Sequence, residues 1–224
     1  MTTFVSLGRN CCVAYNIKKY INNAYPTHFF DWLRTDFKCV LQILNSRTID
    51  MMFNSKNYIL DKNLFKKDGT VGITLKNFEN NGLCLLSHHD VFTSTDSSDH
   101  DDTDEQLQNF SDKYKRRYNR LINLIETQTD ICFIYHNNID SDFDYDDCVE
   151  FNKLIKTINK NSNCVLVLLM NDTYDNTDYK YNINEFYIKI NLKHFIIKDV
   201  DIPCDWTLPQ YDWISIFKLI QDVK

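Results

Sequence analysis

The sequence predicts an α/β protein, a single domain over residues 1–224 whose mixed, largely parallel sheet is flanked by helices. A chain of 224 residues with 43% hydrophobic and 14% aromatic residues is long enough for one substantial core. The second half alternates helix-like and strand-like segments, a pattern typical of parallel or mixed sheets covered by helices. The longest apolar run, Val165 to Met170, fits a strand buried on both faces.

The chain opens with a strand, a turn and a helix. Thr3 to Leu7 has strand character and ends at Gly8. Asn10 is the expected N-cap of a helix from Cys11 to Tyr20, whose apolar residues recur at helical spacing. A second helix is predicted from Asp36 to Leu44.

The middle of the chain predicts a hairpin and a polar loop. Val71 to Leu75 and Leu83 to Ser87 are the expected hairpin strands, while Met51 to Leu60 has no decisive pattern. Phe92 to Asp104 is rich in Ser, Thr and Asp, so we expect a mobile loop that acts as a lid over a nearby site.

The clearest helix follows that loop. Apolar residues recur at helical spacing from Glu105 to Glu126. A strand is predicted from Ile131 to Tyr135, an acidic loop from His136 to Asp147, a helix from Cys148 to Asn159, and a buried strand from Cys164 to Met170.

The last third predicts a polar loop from Asn171 to Asn184 and two strands, from Phe186 to Ile190 and from His194 to Ile197. An amphipathic helix from Trp213 to Val223 closes the chain. No internal repeat is visible.

Composition and net charge bear on the partners and the location of the protein. The net charge is −6 and the isoelectric point about 5.5, so we expect no duplex nucleic acid among the partners. No apolar run approaches the roughly 18 residues of a membrane span, and the N-terminus lacks the pattern of a signal peptide. We expect no membrane association and a cytoplasmic location, in the host cytoplasm if the source is a virus. The few alanines and the many Asn, Asp, Lys, Ile and Tyr residues suggest a low-GC coding bias, which is common in some viruses.

The eight cysteines are expected to be mostly free thiols, because several lie in apolar strand-like runs. No C-x-x-C pair exists, so a zinc ribbon is not expected. The P-loop, dinucleotide-binding and G-x-S-x-G patterns are absent. We therefore expect no metal and no cofactor.

Cys11 is the first candidate for chemistry. A cysteine at a helix N-terminus meets free N–H groups and a positive dipole end, and both stabilise the thiolate. Arg9 adds positive charge next to it, and Asn10 lies between them. The alternative is that Cys11 and Cys12 are buried small residues that close the turn.

Histidines follow the predicted hairpin. A cysteine nucleophile needs a histidine base, and His88 or His89 can supply one, with Asp90 beside them. Like Cys11 and His136, these residues come just after a predicted strand, at the sheet edge where sites of α/β proteins lie. The alternatives are a hydrogen-bonded strand end or a metal site.

Asp31 is surrounded in sequence by Phe29, Phe30 and Trp32. A carboxylate among aromatic residues must be paired or hydrogen-bonded. It either orients a catalytic histidine or serves the structure as a helix cap or ion-pair partner.

Arginines cluster on the long predicted helix. Arg116 and Arg120 are four residues apart and share a face, while Arg117 projects from a neighbouring face. Such a group suits a phosphate or carboxylate ligand. The alternative is a solvated face that complements the acidic loop before the helix.

Four motifs together resemble a largely uncharacterised family, found in bacteria and large DNA viruses, that is classed with the papain-like cysteine peptidases. The motifs are Ser6-Leu7-Gly8-x-x-Cys11-x-x-Ala14, Phe30-Asp31-Trp32, His89-Asp90 and Arg116-Arg117-x-x-Arg120, and they span Phe4 to Tyr135. The resemblance implies that Cys11 is the nucleophile, His89 the base, and Asp31 or Asp90 the carboxylate partner. The chain departs from the family pattern before Phe30, where a proline is expected.

The leading hypothesis is a cysteine-dependent hydrolase or acyl transferase with Cys-His-Asp chemistry. Its substrate would be a peptide or another acyl compound. A second hypothesis is a glycosyltransferase or nucleotide-sugar-binding enzyme that uses the arginine helix and binds a sugar phosphate. A third is an inactive host-interaction module. The predicted substrate contacts are Arg9, Asn10, Trp32, His88, Arg116, Arg117 and Arg120.

Overall fold

The computed structural model describes residues 2–9, 11–45, 58–61, 72–75, 85–87, 100–137, 144–171, 179–197 and 207–224. Its helices are α1 (Cys12–Tyr20), α2 (Phe37–Asn45), α3 (His100–Thr127), α4 (Tyr145–Ile158) and α5 (Trp213–Val223). Its strands are β1 (Thr3–Ser6), β2 (Leu33–Thr35), β3 (Tyr58–Asp61), β4 (Gly72–Leu75), β5 (Leu85–Ser87), β6 (Ile131–Asn137), β7 (Val165–Met170), β8 (Tyr181–Ile183) and β9 (Tyr187–Asn191).

The main sheet has five strands in the order β1-β6-β7-β9-β8. The first four are parallel, and β8 is an antiparallel edge strand. The carboxyl ends of β1, β6, β7 and β9 therefore lie along one edge, which is the edge that carries ligand sites in open α/β sheets. The α/β class and the mixed, largely parallel sheet predicted from sequence are confirmed.

Helices cover both faces of this sheet. Alternate residues of β6 point to opposite faces, as a strand requires. Phe133 and Tyr135 pack in a core with α2, α3 and α4, whereas Cys132 and Ile134 pack in a second core with α1 and α5. The two cores bury the apolar faces of all five helices.

A second sheet has four strands in the order β2-β5-β4-β3 and is antiparallel throughout. The pairing of β4 with β5 confirms the predicted hairpin. The short strand β2 was not predicted. Strand β2 affects the candidate site because its first residue, Leu33, pairs with Ser87, the last residue of β5. This pairing places the end of β5 beside a residue that is two positions after Asp31 in the chain.

Several boundaries differ from the sequence prediction. Helix α3 begins at His100, so the last residues of the predicted lid loop are helical, and Phe92 to Asp99 lie outside the described residues. Helix α4 begins at Tyr145, where Asp144 and Asp147 form a reciprocal capping box with two hydrogen bonds of 2.9 Å.

The predicted strand from His194 to Ile197 is wrong. Leu192–Phe195 is a 3₁₀ helix, which begins after Asn191 because the side chain of Asn191 accepts a hydrogen bond from the Lys193 backbone N–H. The predicted loop from Asn171 to Asn184 contains strand β8. Among the helices described, none is long and apolar enough to cross a membrane.

Candidate functional site

The turn between β1 and α1 has an unusual backbone. Gly8 and Arg9 both have positive φ, at 86° and 67°. A Cβ atom on Gly8 would lie 2.6 Å from Thr35 Oγ1 and 3.1 Å from the carbonyl oxygens of Phe30 and Leu33. The turn is therefore pressed against the segment from Phe30 to Thr35, and only glycine fits this position without strain. Left-handed backbone at Arg9 costs free energy, and such strain is often kept at functional sites.

Cys11 is the N-cap residue of α1, and its carbonyl oxygen accepts a hydrogen bond from Tyr15 N–H at 3.0 Å. The Cys11 side chain makes no cap hydrogen bond, and Asn10, the predicted N-cap, lies outside the described residues. The Cys11 side chain is partly exposed. An accessible thiol thus stands where the free N–H groups of the first turn of α1 begin.

Cys12 has the opposite environment, although it is the next residue. Its side chain is fully buried in the core between the sheet and α1 and α5. Burial raises the pKa of the Cys12 thiol far above its ordinary value, and the neighbouring Cys11 raises it further. Cys12 is therefore a protonated thiol at neutral pH and not a nucleophile.

His136 lies against Cys12 at the carboxyl end of β6. Its Nδ1 atom is 3.6 Å from Cys12 Sγ, and both side chains are buried. Burial, with a smaller contribution from the charge of Arg9, lowers the pKa of His136 to about 4. The imidazole is therefore neutral at neutral pH. The prediction that His136 begins a loop is wrong, because β6 continues to Asn137.

Arg9 is buried with 4% of its side chain exposed, and its guanidinium forms an ion pair with Asp36. Asp36 directly precedes α2, and its carbonyl oxygen accepts a hydrogen bond from Val40 N–H. The pair connects the β1–α1 turn to the start of α2. Whether Arg9 also contacts a substrate stays a prediction.

Asp31 is also buried, and both of its carboxyl oxygens accept hydrogen bonds. Tyr25 O–H donates to Oδ1 at 3.1 Å, and the backbone N–H of His28 donates to Oδ2 at 2.7 Å. Burial raises the pKa of Asp31 to about 7, while the two hydrogen bonds and the charges of Arg117 and Arg120 act to lower it. In the described residues Asp31 thus meets a tyrosine and a backbone amide.

Tyr25 links Asp31 to the strand that leads to Cys11. Its hydroxyl oxygen accepts a hydrogen bond from Ser6 N–H at 3.4 Å while its proton goes to Asp31. Ser6 is the last residue of β1. One side chain therefore connects the Asp31 segment to the Cys11 turn. Trp32, the residue after Asp31, is partly exposed.

The three predicted arginines separate into two groups. Arg117 and Arg120 are close enough to Asp31 to lower the pKa of its carboxyl, and Arg120 Nη1 donates to the carbonyl oxygen of Thr27 at 2.6 Å. Arg116 is exposed and is not among the charges that act on Asp31. The sequence predicts that Arg116 and Arg120 share one face of the helix. The two arginines that act on Asp31, however, are Arg117 and Arg120.

His28 is a buried histidine beside this cluster, with 1% of its side chain exposed. Its ring meets the Tyr25 ring edge to face at 5.2 Å between centroids. Neither ring nitrogen has a hydrogen-bond partner among the described residues. Burial, with the charge of Arg120, lowers the pKa of His28 to about 4.

Four predicted site residues lie outside the described residues: Asn10, His88, His89 and Asp90. The chain reaches the last three from Ser87, the final residue of β5. Ser87 pairs with Leu33, two residues after Asp31. In the part of the chain that is described, no group of three or more His, Cys, Asp or Glu side chains is arranged to hold a metal ion.

Sequence reasoning missed the roles of Tyr25, His28 and Cys12. Tyr25 precedes a proline in a segment that reads as a loop, and no local pattern shows that its hydroxyl meets Asp31. For Cys12 the sequence predicts at most a buried small residue that closes the turn, with no contact to a histidine. One sequence feature nevertheless indicates the contact between Cys12 and His136. His136 follows an apolar strand-like run, so it is expected at the same sheet edge as Cys12.

Comparison with known proteins gives one match. The chain belongs to a family described as "putative papain-like cysteine peptidase", whose model matches residues 2–173. That range contains both sheets up to β7 and every predicted site residue. No curated protein matches the chain, and no solved structure matches it.

Proposed function

We propose that the chain is a cysteine-dependent hydrolase or acyl transferase in which Cys11 is the nucleophile. The observation that carries the proposal is the contrast between two adjacent thiols. Cys11 is partly exposed at the N-terminus of α1, whereas Cys12 is buried and its pKa is raised by burial. Family membership supports the same chemistry.

In the proposed reaction the Cys11 thiolate attacks the carbonyl carbon of an ester, thioester or amide. The negative charge that develops on the carbonyl oxygen is stabilised by backbone N–H groups after Gly8 and up to Cys12, because the Gly8 N–H itself donates to Ser6 Oγ at 3.3 Å. The positive φ angles of Gly8 and Arg9 support this role, because left-handed residues turn successive amides toward one concave side of a loop.

His89 is the proposed base and acid. It takes the Cys11 proton, returns it to the leaving group, and then activates the molecule that releases the acyl group from Cys11. Water as that molecule makes the protein a hydrolase, and another nucleophile makes it an acyl transferase. The position of β5 supports this role for His89. Strand β5 ends at Ser87, which pairs with Leu33, and the turn that leads to Cys11 also packs against Leu33.

Asp90 and Asp31 are the candidates for orienting His89. Asp31 already accepts hydrogen bonds on both carboxyl oxygens from Tyr25 and His28, and this favours a structural role for it. We therefore propose Asp90 as the orienting carboxylate and Asp31 as the anchor of the segment that supports the Cys11 turn.

A second candidate function keeps the arginine helix as an anion site, for a glycosyltransferase or a nucleotide-sugar-binding enzyme. The observation in its favour is Lys113, whose pKa is lowered to about 8 by burial and by the charges of Arg117 and Arg116. Positive charge is thus concentrated on this part of α3. Thermal stabilisation of the wild type by nucleotide sugars, lost in Arg116→Ala, would support it.

The proposal is tested by the pH dependence of iodoacetamide labelling, followed at each cysteine by tandem mass spectrometry. Cys164 is an internal reference, because it is also partly exposed but burial raises the pKa of its thiol. We expect Cys11 to label with an apparent pKa well below about 8.5 and faster than Cys164 at neutral pH. His89→Ala should slow Cys11 and leave Cys164 unchanged. Cys11 labelling no faster than Cys164 would refute the proposal.

A further inference from the structure

Cys12 and His136 form a contact that the proposed reaction does not use. We propose that this contact is a positioning device, which holds the first turn of α1 on β6 and thereby sets the reactivity of Cys11. The inference rests on the proposed function, because it concerns the same nucleophile. His136 and Cys12 are positioning residues here and neither touches the substrate.

The protonation states make the contact a neutral hydrogen bond. The Cys12 thiol keeps its proton because burial raises its pKa, and the His136 imidazole is neutral because burial lowers its pKa. Cys12 Sγ and His136 Nδ1 are 3.6 Å apart, and which of them donates depends on the tautomer of the imidazole. We assign the thiol as the donor and Nδ1 as the acceptor, which places the imidazole proton on the second ring nitrogen. A thiolate–imidazolium pair, which would make Cys12 the reactive thiol, does not form in this environment.

The contact joins two elements at the sheet edge that carries the site. Strands β1 and β6 are paired, and Leu7 N–H donates to the Ile134 carbonyl at 2.9 Å. Two residues further along β6, His136 points to the same face as Ile134, which is the face that α1 covers. The side chain of His136 therefore reaches the first residue of α1 directly.

A second bond holds the same turn. Asn16 Nδ2 donates to the carbonyl oxygen of Cys12 at 2.8 Å and to that of Thr207 at 2.9 Å. The Cys12 backbone is thus fixed from one side by Asn16 and its side chain from the other by His136. Cys11 directly precedes this fixed residue, and its carbonyl oxygen accepts the first hydrogen bond of α1 from Tyr15 N–H at 3.0 Å. The position of Cys11 therefore follows the position of the first turn.

The chemical consequence concerns the Cys11 thiolate. Stabilisation by helix N–H groups falls off within the first turn, so it depends on where the cap residue stands relative to that turn. Loosening the turn weakens this stabilisation and raises the Cys11 pKa. At pH values below both pKa values, a rise of about one unit lowers the thiolate fraction, and hence the labelling rate, about tenfold.

The test compares Cys11 labelling in full-length wild type with His136→Phe, which fills the same space without an acceptor, and with Cys12→Ala. Tandem mass spectrometry is needed because Cys11 and Cys12 lie on one tryptic peptide. We expect an apparent pKa of Cys11 that is about one unit higher in both variants, and about tenfold slower labelling at pH values below the wild-type pKa. Cys12→Ser keeps a donor and should recover most of the reactivity.

Cys132→Ala is the matched control. Cys132 is a buried thiol in the same core as Cys12, and burial raises its pKa to about 12. Its removal should lower stability as Cys12→Ala does and leave the Cys11 pKa unchanged. If His136→Phe does not fold, Cys12→Ala tests the bond from its other end.

The outcomes separate the inference from the proposed function. Fast labelling of wild-type Cys11 with the same apparent pKa in folded Cys12→Ala and His136→Phe overturns the inference and leaves the proposed function intact. An equal pKa rise in Cys132→Ala also overturns it, because any loss of core packing would then suffice. Slow labelling of wild-type Cys11 overturns both.

Discussion

At the scale of single residues, burial decides which of two neighbouring thiols is available for chemistry. Cys11 and Cys12 have the same functional group and share the start of α1. Cys12 points into the core, where desolvation favours the neutral form, while Cys11 remains partly exposed at the helix cap. A sequence motif identifies both cysteines, but only the direction of the side chains distinguishes them.

Asp31 illustrates the same point for a carboxylate. Its aromatic neighbours in sequence predicted burial and a need for partners, and both are found. The partners themselves, Tyr25 and the His28 amide, were not predictable, because a tyrosine in a loop before a proline gives no local sign of which group its hydroxyl meets.

Tyr25→Phe should destabilise the protein by about 1 to 3 kcal/mol, because it removes a hydrogen bond from Asp31 and leaves the Ser6 amide without its acceptor. Urea denaturation measures this change. Tyr181→Phe, at an exposed tyrosine, is the control and should change the free energy of unfolding by less than about 0.5 kcal/mol. Equal effects of the two variants would show that the Tyr25 hydroxyl contributes nothing.

At the scale of elements, the β1–α1 turn depends on its packing against β2 and the residues before it. Gly8→Ala should destabilise the fold by more than about 2 kcal/mol, because a Cβ atom would strain a positive-φ backbone and clash with Thr35 and two carbonyl oxygens.

The double variant Gly8→Ala, Thr35→Ala separates the two causes. It removes the Thr35 Oγ1 atom, which has the closest approach, and leaves the backbone strain. We expect partial recovery of stability relative to Gly8→Ala, measured by urea denaturation as a double-mutant cycle. A Gly8→Ala variant as stable as wild type would contradict the described turn.

Elements with a strong period were predictable, and short elements fixed by tertiary pairing were not. Helix α3 buries Phe110, Tyr114, Tyr118, Leu121 and Ile125 at helical spacing, so its pattern was clear. Strands β2 and β8 have three residues each, too few for a period. The apolar residues from His194 to Ile197 suggested a strand, but the Asn191 side chain starts a 3₁₀ turn there instead.

At the scale of the whole molecule, the sheet topology brings together segments that are distant in sequence. The parallel pairing of β1 with β6 places His136 beside Cys12, 124 residues away. The alternation of helices and strands predicted the sheet and therefore the edge at which Cys11, Cys12 and His136 are found. It did not predict which side chains touch there, since contacts depend on strand register and on burial.

Buried titratable groups should make stability depend on pH. His28 and His136 have pKa values lowered to about 4. Between about pH 6.5 and about pH 4 the unfolded chain binds protons that the folded chain does not, so the free energy of unfolding falls as the pH falls. Each histidine contributes a slope of up to about 1.4 kcal/mol per pH unit.

Asp31 acts in the opposite direction. Its pKa is raised to about 7, so the folded chain binds an extra proton between about pH 4 and about pH 7, and the free energy of unfolding falls as the pH rises across that range. Urea denaturation at several pH values should therefore show a steeper acid loss in Asp31→Asn and a shallower one in His28→Gln. Identical pH profiles in wild type and both variants would contradict the burial of these groups.

The central claim is that Cys11 forms the covalent intermediate of a hydrolase or acyl transferase. The most direct measurement is intact-protein and peptide mass spectrometry after brief exposure to p-nitrophenyl acetate, with nitrophenolate release followed in parallel. We expect one acetyl group on Cys11 and a burst of nitrophenolate in wild type, and no acetyl group on the corresponding peptide in Cys11→Ala. In His89→Ala the acetyl group should form more slowly and, once formed, persist, because both acylation and deacylation lose their base. Acetylation that is absent from wild type, or is unchanged in Cys11→Ala, would show that Cys11 is not the nucleophile.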